Sequence, residues 1–181
     1  MKLSTKQILN ILLAITWVIF VGICIEAGGF VVNAIFAVAN PGVVKHLWQQ
    51  VDLADLLKYD TGHFFVEVSI ISIVLIAKAF LFYLIIKMLH DKNVSLSQPF
   101  NQAVRHFIFK LSYLALLIGA FSFYGVKYAE WLTTQGVKMP DTQYLRLGGA
   151  DVWLFMCVIL FVIAQIFKKG IEIQTENELT V

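Results

Sequence analysis

The stretch FFVEVSIISIVLIAKAFLFYLII, from Phe64 to Ile86, holds only two charged side chains, Glu67 and Lys78, in 23 residues. A hydrocarbon core about 30 Å thick is crossed by about 20 helical residues, so this run can span a bilayer. It lacks the apolar–polar alternation of a membrane barrel strand. Lipid offers no partner to an unpaired backbone group, which leaves the α-helix as the way across.

Three further runs follow the same logic: Ile8 to Ile25, interrupted by Asn10, Thr16 and Gly22, then Phe107 to Val126, and Val152 to Phe167. The last is short and borrows Leu147 and Ile171 at its ends. The expected fold is all-α, a polytopic membrane protein forming a four-transmembrane-helix bundle with short amphipathic helices in its first outer loop. Spans are expected near 8–27, 64–87, 105–126 and 150–169, within one membrane domain covering 1–181. Composition agrees: the 181 residues are 59% hydrophobic and 14% charged, against roughly a quarter charged in a soluble domain. A formal net charge of +2 gives no basis for direct nucleic-acid binding. Lys2 and Lys6 resemble the start of a signal peptide, but the first apolar run exceeds the 7–15 residues of such a segment. Cleavage after Ala27 would put Ile25 where a small residue is wanted, and Ile23 before Cys24 argues against a lipoprotein site. The first helix is expected to stay.

Lysine and arginine placement orients the chain. The termini and middle loop carry eight (Lys2, Lys6, Lys87, Lys92, Arg105, Lys110, Lys168, Lys169), and the other two loops five (Lys45, Lys58, Lys127, Lys138, Arg146). The excess predicts cytoplasmic N- and C-termini. Trp48, Tyr59, Tyr128, Trp131 and Trp153 then fall near the outer interface.

In the first outer segment Gly28-Gly29 would let the first helix bend or end. From Val43 an amphipathic helix is expected, with Val44, Leu47, Trp48 and Val51 on one face and Asp52 capping a further turn through Leu56 and Leu57. It would lie on the leaflet or form a lid over the bundle. In the middle loop Ser97 is expected to cap a helix continuing through Arg105, with Pro99 in its first turn. Phe100 and Val104 would then face the membrane while Arg105 reaches lipid phosphate.

Lys78 is costly near the middle of a span, about 2.5–3.5 kcal/mol on insertion scales. No carboxylate is expected at its depth, so it either snorkels toward the cytoplasmic face or bonds to carbonyls and hydroxyls such as that of Ser112. Lys78 and Ser112 are thus the candidate intramembrane polar site, able to hold an anion or a lipid headgroup. His46, His63, His90 and His106 all sit at or beyond span ends, where a paired-histidine haem site does not fit; Asp60 and His63 alone do not specify a metal site. Cys24 and Cys157 are isolated apolar packing residues with nothing in the sequence arguing for a disulfide. HExxH, GxSxG, Walker and Rossmann patterns are absent, and no internal repeat suggests an inverted-repeat transporter. No catalytic residue, cofactor or metal is expected.

The C-terminal third carries a resemblance. Gly148-Gly149-Ala150-Asp151 precedes the last span, and Phe167-Lys168-Lys169-Gly170-Ile171-Glu172-Ile173-Gln174 and Glu176-Asn177-Glu178-Leu179-Thr180-Val181 follow it. Together with Pro99-Phe100 and the arginine before the third span, this resembles the YoaS-like bacterial membrane proteins, a family with a domain-of-unknown-function label. Glu178 stands where an aspartate is commoner. The resemblance implies a four-helix inner-membrane protein with no known enzymatic activity, whose genes often neighbour a small helix-turn-helix regulator. The leading expectation is therefore a regulatory or sensory membrane partner of such a cytoplasmic DNA-binding regulator. Its partner surface would be Ser97, Pro99, Phe100, Arg105, Lys168, Lys169, Glu172, Glu176, Asn177, Glu178, Leu179 and Val181. The alternative is a small transporter or lipid- or peptide-handling protein using Lys78. Besides the bilayer and that regulator, a second copy of the chain is a compatible partner.

Overall fold

Each apolar run lies in a helix longer than itself. The computed structural model describes residues 4–46, 51–90 and 100–179. Its elements are α1 (Thr5–Ala39), a 3₁₀ turn (Pro41–His46), α2 (Ala54–Tyr59), α3 (Thr61–His90), α4 (Gln102–Thr134) and α5 (Ala150–Leu179). Among the described residues, α1, α3, α4 and α5 are long and apolar enough to cross a membrane, the expected all-α, four-span class. They pack in the order α1, α3, α4, α5, each on the next, so α3 and α4 form the middle of a row and α1 and α5 its flanks. The most apolar windows of the two inner helices are 39% and 33% buried, whereas the flanking ones are only 6% buried and leave their surfaces to lipid.

The helices do not end at one level. Ser112 of α4 donates to the Cys157 carbonyl of α5 at 3.0 Å, and a Cβ on Gly119 would lie 2.8 Å from Leu154 Cγ. The start of α5 is therefore level with residues near 123, and about 16 Å of α4 rises past it. Gly125 meets Ile70 of α3 and Leu147 in the same way, so the first turns of α3 also belong to this overhang. The last turns of α1, the 3₁₀ turn, α2 and residues 135–149 complete a cap. Much of the apolar core lies in it: Phe30, Val44, Leu53, Leu56, Phe64, Leu132, Leu145 and Leu147 are each at most 2% exposed. At the opposite, terminal end lie the start of α1, the end of α3, the start of α4 and the end of α5.

This cap corrects several expectations. α1 runs unbroken through Gly28 and Gly29 to Ala39. Phe30, Ala34 and Ala37 recur on one buried stripe, and packing of that stripe outweighs the roughly 1 kcal/mol that each glycine costs a helix. The segment after Asn40 begins as a 3₁₀ turn instead of an α-helix from Val43; Leu47 and Trp48 lie outside the described residues. Its lid role holds, since Val44 and Val51 are buried and Leu53 N–H donates to the Val44 carbonyl at 3.3 Å. Asp52 accepts from Ala54 N at 2.9 Å in the turn before α2, but it is not the cap: Leu53 holds the N-cap position, without a capping side-chain bond. At the start of α4 the cap is Asn101, whose side chain accepts from Val104 N at 2.8 Å. Phe100 lies outside that helix, and Ser97 and Pro99 fall outside the described residues.

Candidate functional site

Two places in the fold concentrate polar groups. The first is the junction between the cap and the spans. Phe20 of α1 faces Tyr83 of α3 with ring centroids 6.4 Å apart, and the two helices run antiparallel. Six residues further along α1, Glu26 is therefore level with Lys78. Arg146 enters the same level from the loop before α5, and its Nε donates to Glu26 Oε1 in an ion pair. Its backbone is left-handed, with φ of 62°, a conformation that costs a non-glycine residue about 1–3 kcal/mol and persists only where the surroundings hold it. In that conformation the carbonyl of Arg146 accepts from Lys78 Nζ at 2.9 Å. Lys78 also lies 5.9 Å from the centre of the Trp153 ring, within cation–π range.

Lys78 thus bonds to a main-chain carbonyl, as expected of one alternative, and not to the Ser112 hydroxyl. One face of the α3 turns before Lys78, with Phe64, Val68, Ile71 and Val74, is buried in protein, while Phe65, Val66, Ile73 and Ile76 on the other face are exposed. Ser112 is one face of a different contact, its hydroxyl donating to the Cys157 carbonyl and lying 3.6 Å from the Cys157 thiol. Both cysteines are free, and Cys24 is exposed on α1.

Above this level is an aromatic ring around His63. Its Nδ1 pairs with the Tyr128 hydroxyl, and its ring lies 5.4 Å from Trp131 and 5.9 Å from Tyr59. Asp60 accepts from His63 N at 2.8 Å, capping the start of α3. The carboxylate and imidazole once considered for a metal are therefore each engaged in structure, and among the described residues no three metal-ligating side chains converge. One turn beyond His63, Glu67 is 0% exposed and neither of its carboxyl oxygens has a hydrogen-bond partner. The Ser122 hydroxyl on α4 is likewise buried without a partner. In the sequence Glu67 is only one of two charges in an apolar run; its complete burial comes from packing, which hydropathy does not report.

The second place is the terminal end. Phe100, expected to face lipid, instead packs against α5: its ring centroid is 5.3 Å from that of Phe167. A Cβ on Gly170 would fall 2.5 Å from Phe100 Cδ1, so the missing side chain at 170 is what admits the ring. Arg105 lies over the Phe109 ring at 5.5 Å and reaches Gln102 Oε1 at 3.4 Å. Beyond this clamp α5 continues to Leu179. Lys168 and Lys169 both bridge to Glu172, at 3.9 and 3.4 Å, and Ile173 is 47% exposed. Glu176 and Asn177 are exposed on the same extension, while Val181 lies outside the described residues. The structure thus brings Phe100, Lys168, Lys169 and Glu172 together at one end and separates Lys78 from Ser112.

A family described as "Protein of unknown function (DUF2975)" matches residues 51–181. That interval takes in α2 to α5 with Lys78, Arg146, His63, Glu67 and the tail, and leaves out Glu26 on α1. No curated protein and no solved structure matches the chain.

Proposed function

This chain belongs to the DUF2975 family, and we propose that it is a non-enzymatic component of the bacterial cytoplasmic membrane that docks a soluble regulator at its terminal end. The partner is a small helix-turn-helix DNA-binding protein, held against the membrane by the extension of α5. Both chain termini face the cytoplasm in this reading, supported by the eight-to-five bias of lysine and arginine toward the terminal end. The YoaS-like character of residues 167–174 and 176–181 supports the choice of partner.

The single observation that carries the proposal is the fixed projection of α5. Its 30 residues make a rod of about 45 Å, some 15 Å more than a hydrocarbon core requires. Phe100 seated over Gly170 clamps the rod where it leaves the membrane, and exposed Ile173 sits beyond the basic pair as an apolar contact. An amphipathic helix presented in this way is a common recognition element for a groove on a soluble partner. Lys78 supports a transport or binding site less well, because its ammonium is already committed to the Arg146 carbonyl and the Trp153 ring.

A photo-cross-linking residue placed at Ile173 in the full chain, in native membranes, tests the reading. An adduct with a helix-turn-helix protein is expected from position 173 and not from Gln143 in the cap. Adducts from position 143 alone, or none with a DNA-binding protein at 173, would overturn it.

A further inference from the structure

The row of helices leaves an open seam between α3 and α4 at the terminal end. A cleft of 240 Å³ there has Lys87, His106 and Lys110 on its rim and Leu84, Met88 and Phe107 among its apolar walls, with no carboxylate among the described residues that line it. It runs on, through the shared Leu84 and Lys110, into a second hollow of 300 Å³ walled by Phe80, Tyr113 and Leu114. The two are one groove, cationic at one end and apolar along the rest.

The sequence builds this groove by helical spacing. On α3, residues 80, 84, 87 and 88 recur on one face; on α4, residues 103, 106, 110 and 114 do the same. Lys87 lies in the last turn of α3, at the terminal end. Lys110 is eight residues into α4, about 12 Å along it, but α4 starts at the terminal end and its side chains lean back that way. Both ammonium groups therefore collect at the membrane boundary beside His106, while the apolar part runs toward the bilayer middle. Both lysines are exposed, and among the described residues neither has a hydrogen-bond or ion-pair partner. Lys168 and Lys169, at the same end on α5, are already paired with Glu172.

We propose that this groove is a binding site for one anionic phospholipid, its phosphate between Lys87 and Lys110 and an acyl chain along Leu84, Phe80 and Leu114. Charge complementarity selects the occupant. Two unpaired cations at headgroup depth call for an anion, as basic pockets between membrane helices do. A free phosphate would leave the apolar length of the groove unfilled, whereas a phospholipid has its charge and its chain in the order that the groove presents. The site is independent of partner docking by the α5 extension.

The test uses the full chain in a neutral detergent, with phosphatidylglycerol or phosphatidylcholine of identical chains added and retained lipid counted by native mass spectrometry. Wild type should retain one phosphatidylglycerol with a preference of roughly tenfold or more, undisturbed by excess inorganic phosphate. Lys87→Gln/Lys110→Gln should abolish the preference, and Leu84→Trp, which fills the groove, should lower retention of both lipids. Lys168→Gln/Lys169→Gln should retain the preference. Should the double variant lose helicity, Lys87→Gln and Lys110→Gln singly, both at exposed positions, read the same loss. Equal retention of the two lipids by wild type, an unchanged preference in the lysine variants, or displacement by phosphate alone would overturn the proposal.

Discussion

The Nζ of Lys78 donates to the main-chain carbonyl of Arg146 at 2.9 Å, across 68 residues of sequence. Through this bond the second span holds the loop that launches the last one. Arg146 completes the tie by pairing its side chain with Glu26 on the first helix. One left-handed residue thus joins α1, α3 and the start of α5 at the level where the cap meets the spans.

Lys78→Met should therefore act as a stability mutation. It removes the donor of a hydrogen bond to an exposed carbonyl, worth about 0.5–1.5 kcal/mol. Glu26→Gln removes only the charge from a pair that is partly exposed, worth about 0.2–1 kcal/mol. Denaturation in detergent monitored by tryptophan fluorescence should show the larger loss for Lys78→Met. The two effects should be less than additive in the double variant, since both groups act through Arg146. Full retention of the unfolding midpoint in Lys78→Met would refute the tie.

Glu67→Met is expected to raise stability. The carboxyl is completely buried with no hydrogen-bond partner, and an apolar side chain of similar volume removes a desolvation cost of about 1–3 kcal/mol. The same denaturation assay decides it, and a lowered midpoint would mean that Glu67 holds a stabilising contact.

Gly119→Ala should loosen the α4–α5 contact. The added Cβ would meet Leu154 Cγ at 2.8 Å and the Leu154 backbone nitrogen at 3.1 Å, and the backbone atom cannot swing aside as a side-chain tip can. Overpacking of this kind costs about 1–3 kcal/mol. Gly22→Ala, where a Cβ meets nothing within 4 Å, is the matched control and should be neutral or mildly stabilising.

Gly170→Leu should unseat Phe100, whose ring carbons occupy the space of the missing Cβ at 2.5 to 2.9 Å. Because the clamp lies at the end of α5, global stability should change by about 1 kcal/mol or less. Spin labels at Asn101 and Thr175 should report a broader distance distribution than in wild type. An unchanged distribution would show that the clamp does not hold the extension.

The four crossings were legible because lipid contact writes itself into long apolar runs, and the flanking helices α1 and α5 are nearly all lipid contact. The cap was hidden for the same reason. Residues such as Phe64, Val68, Ile71 and Val74 are as apolar as lipid-facing ones, yet they pack against protein. The level that Lys78 shares with Glu26 and Arg146 is set by packing between helices and leaves no mark in the run Phe64 to Ile86 itself. The Glu26–Arg146 pair leaves no local signal, being 120 residues apart. The middle loop showed its helix start in kind but not in place, because Ser97 and Asn101 are both good capping residues and only the geometry at Val104 distinguishes them. At the terminal end the basic pair and acidic tail were readable, whereas the seat of Phe100 depends on a glycine from another helix.

The proposed docking of a cytoplasmic partner depends on which side of the membrane holds the terminal end, and cysteine accessibility in intact cells measures that directly. With Cys24 and Cys157 replaced by alanine, single cysteines at Gln143 in the cap and at Thr175 on α5 are exposed to a membrane-impermeant maleimide. The account predicts that position 143 is labelled in intact cells and position 175 only after the membrane is opened. Labelling of position 175 in intact cells would contradict it.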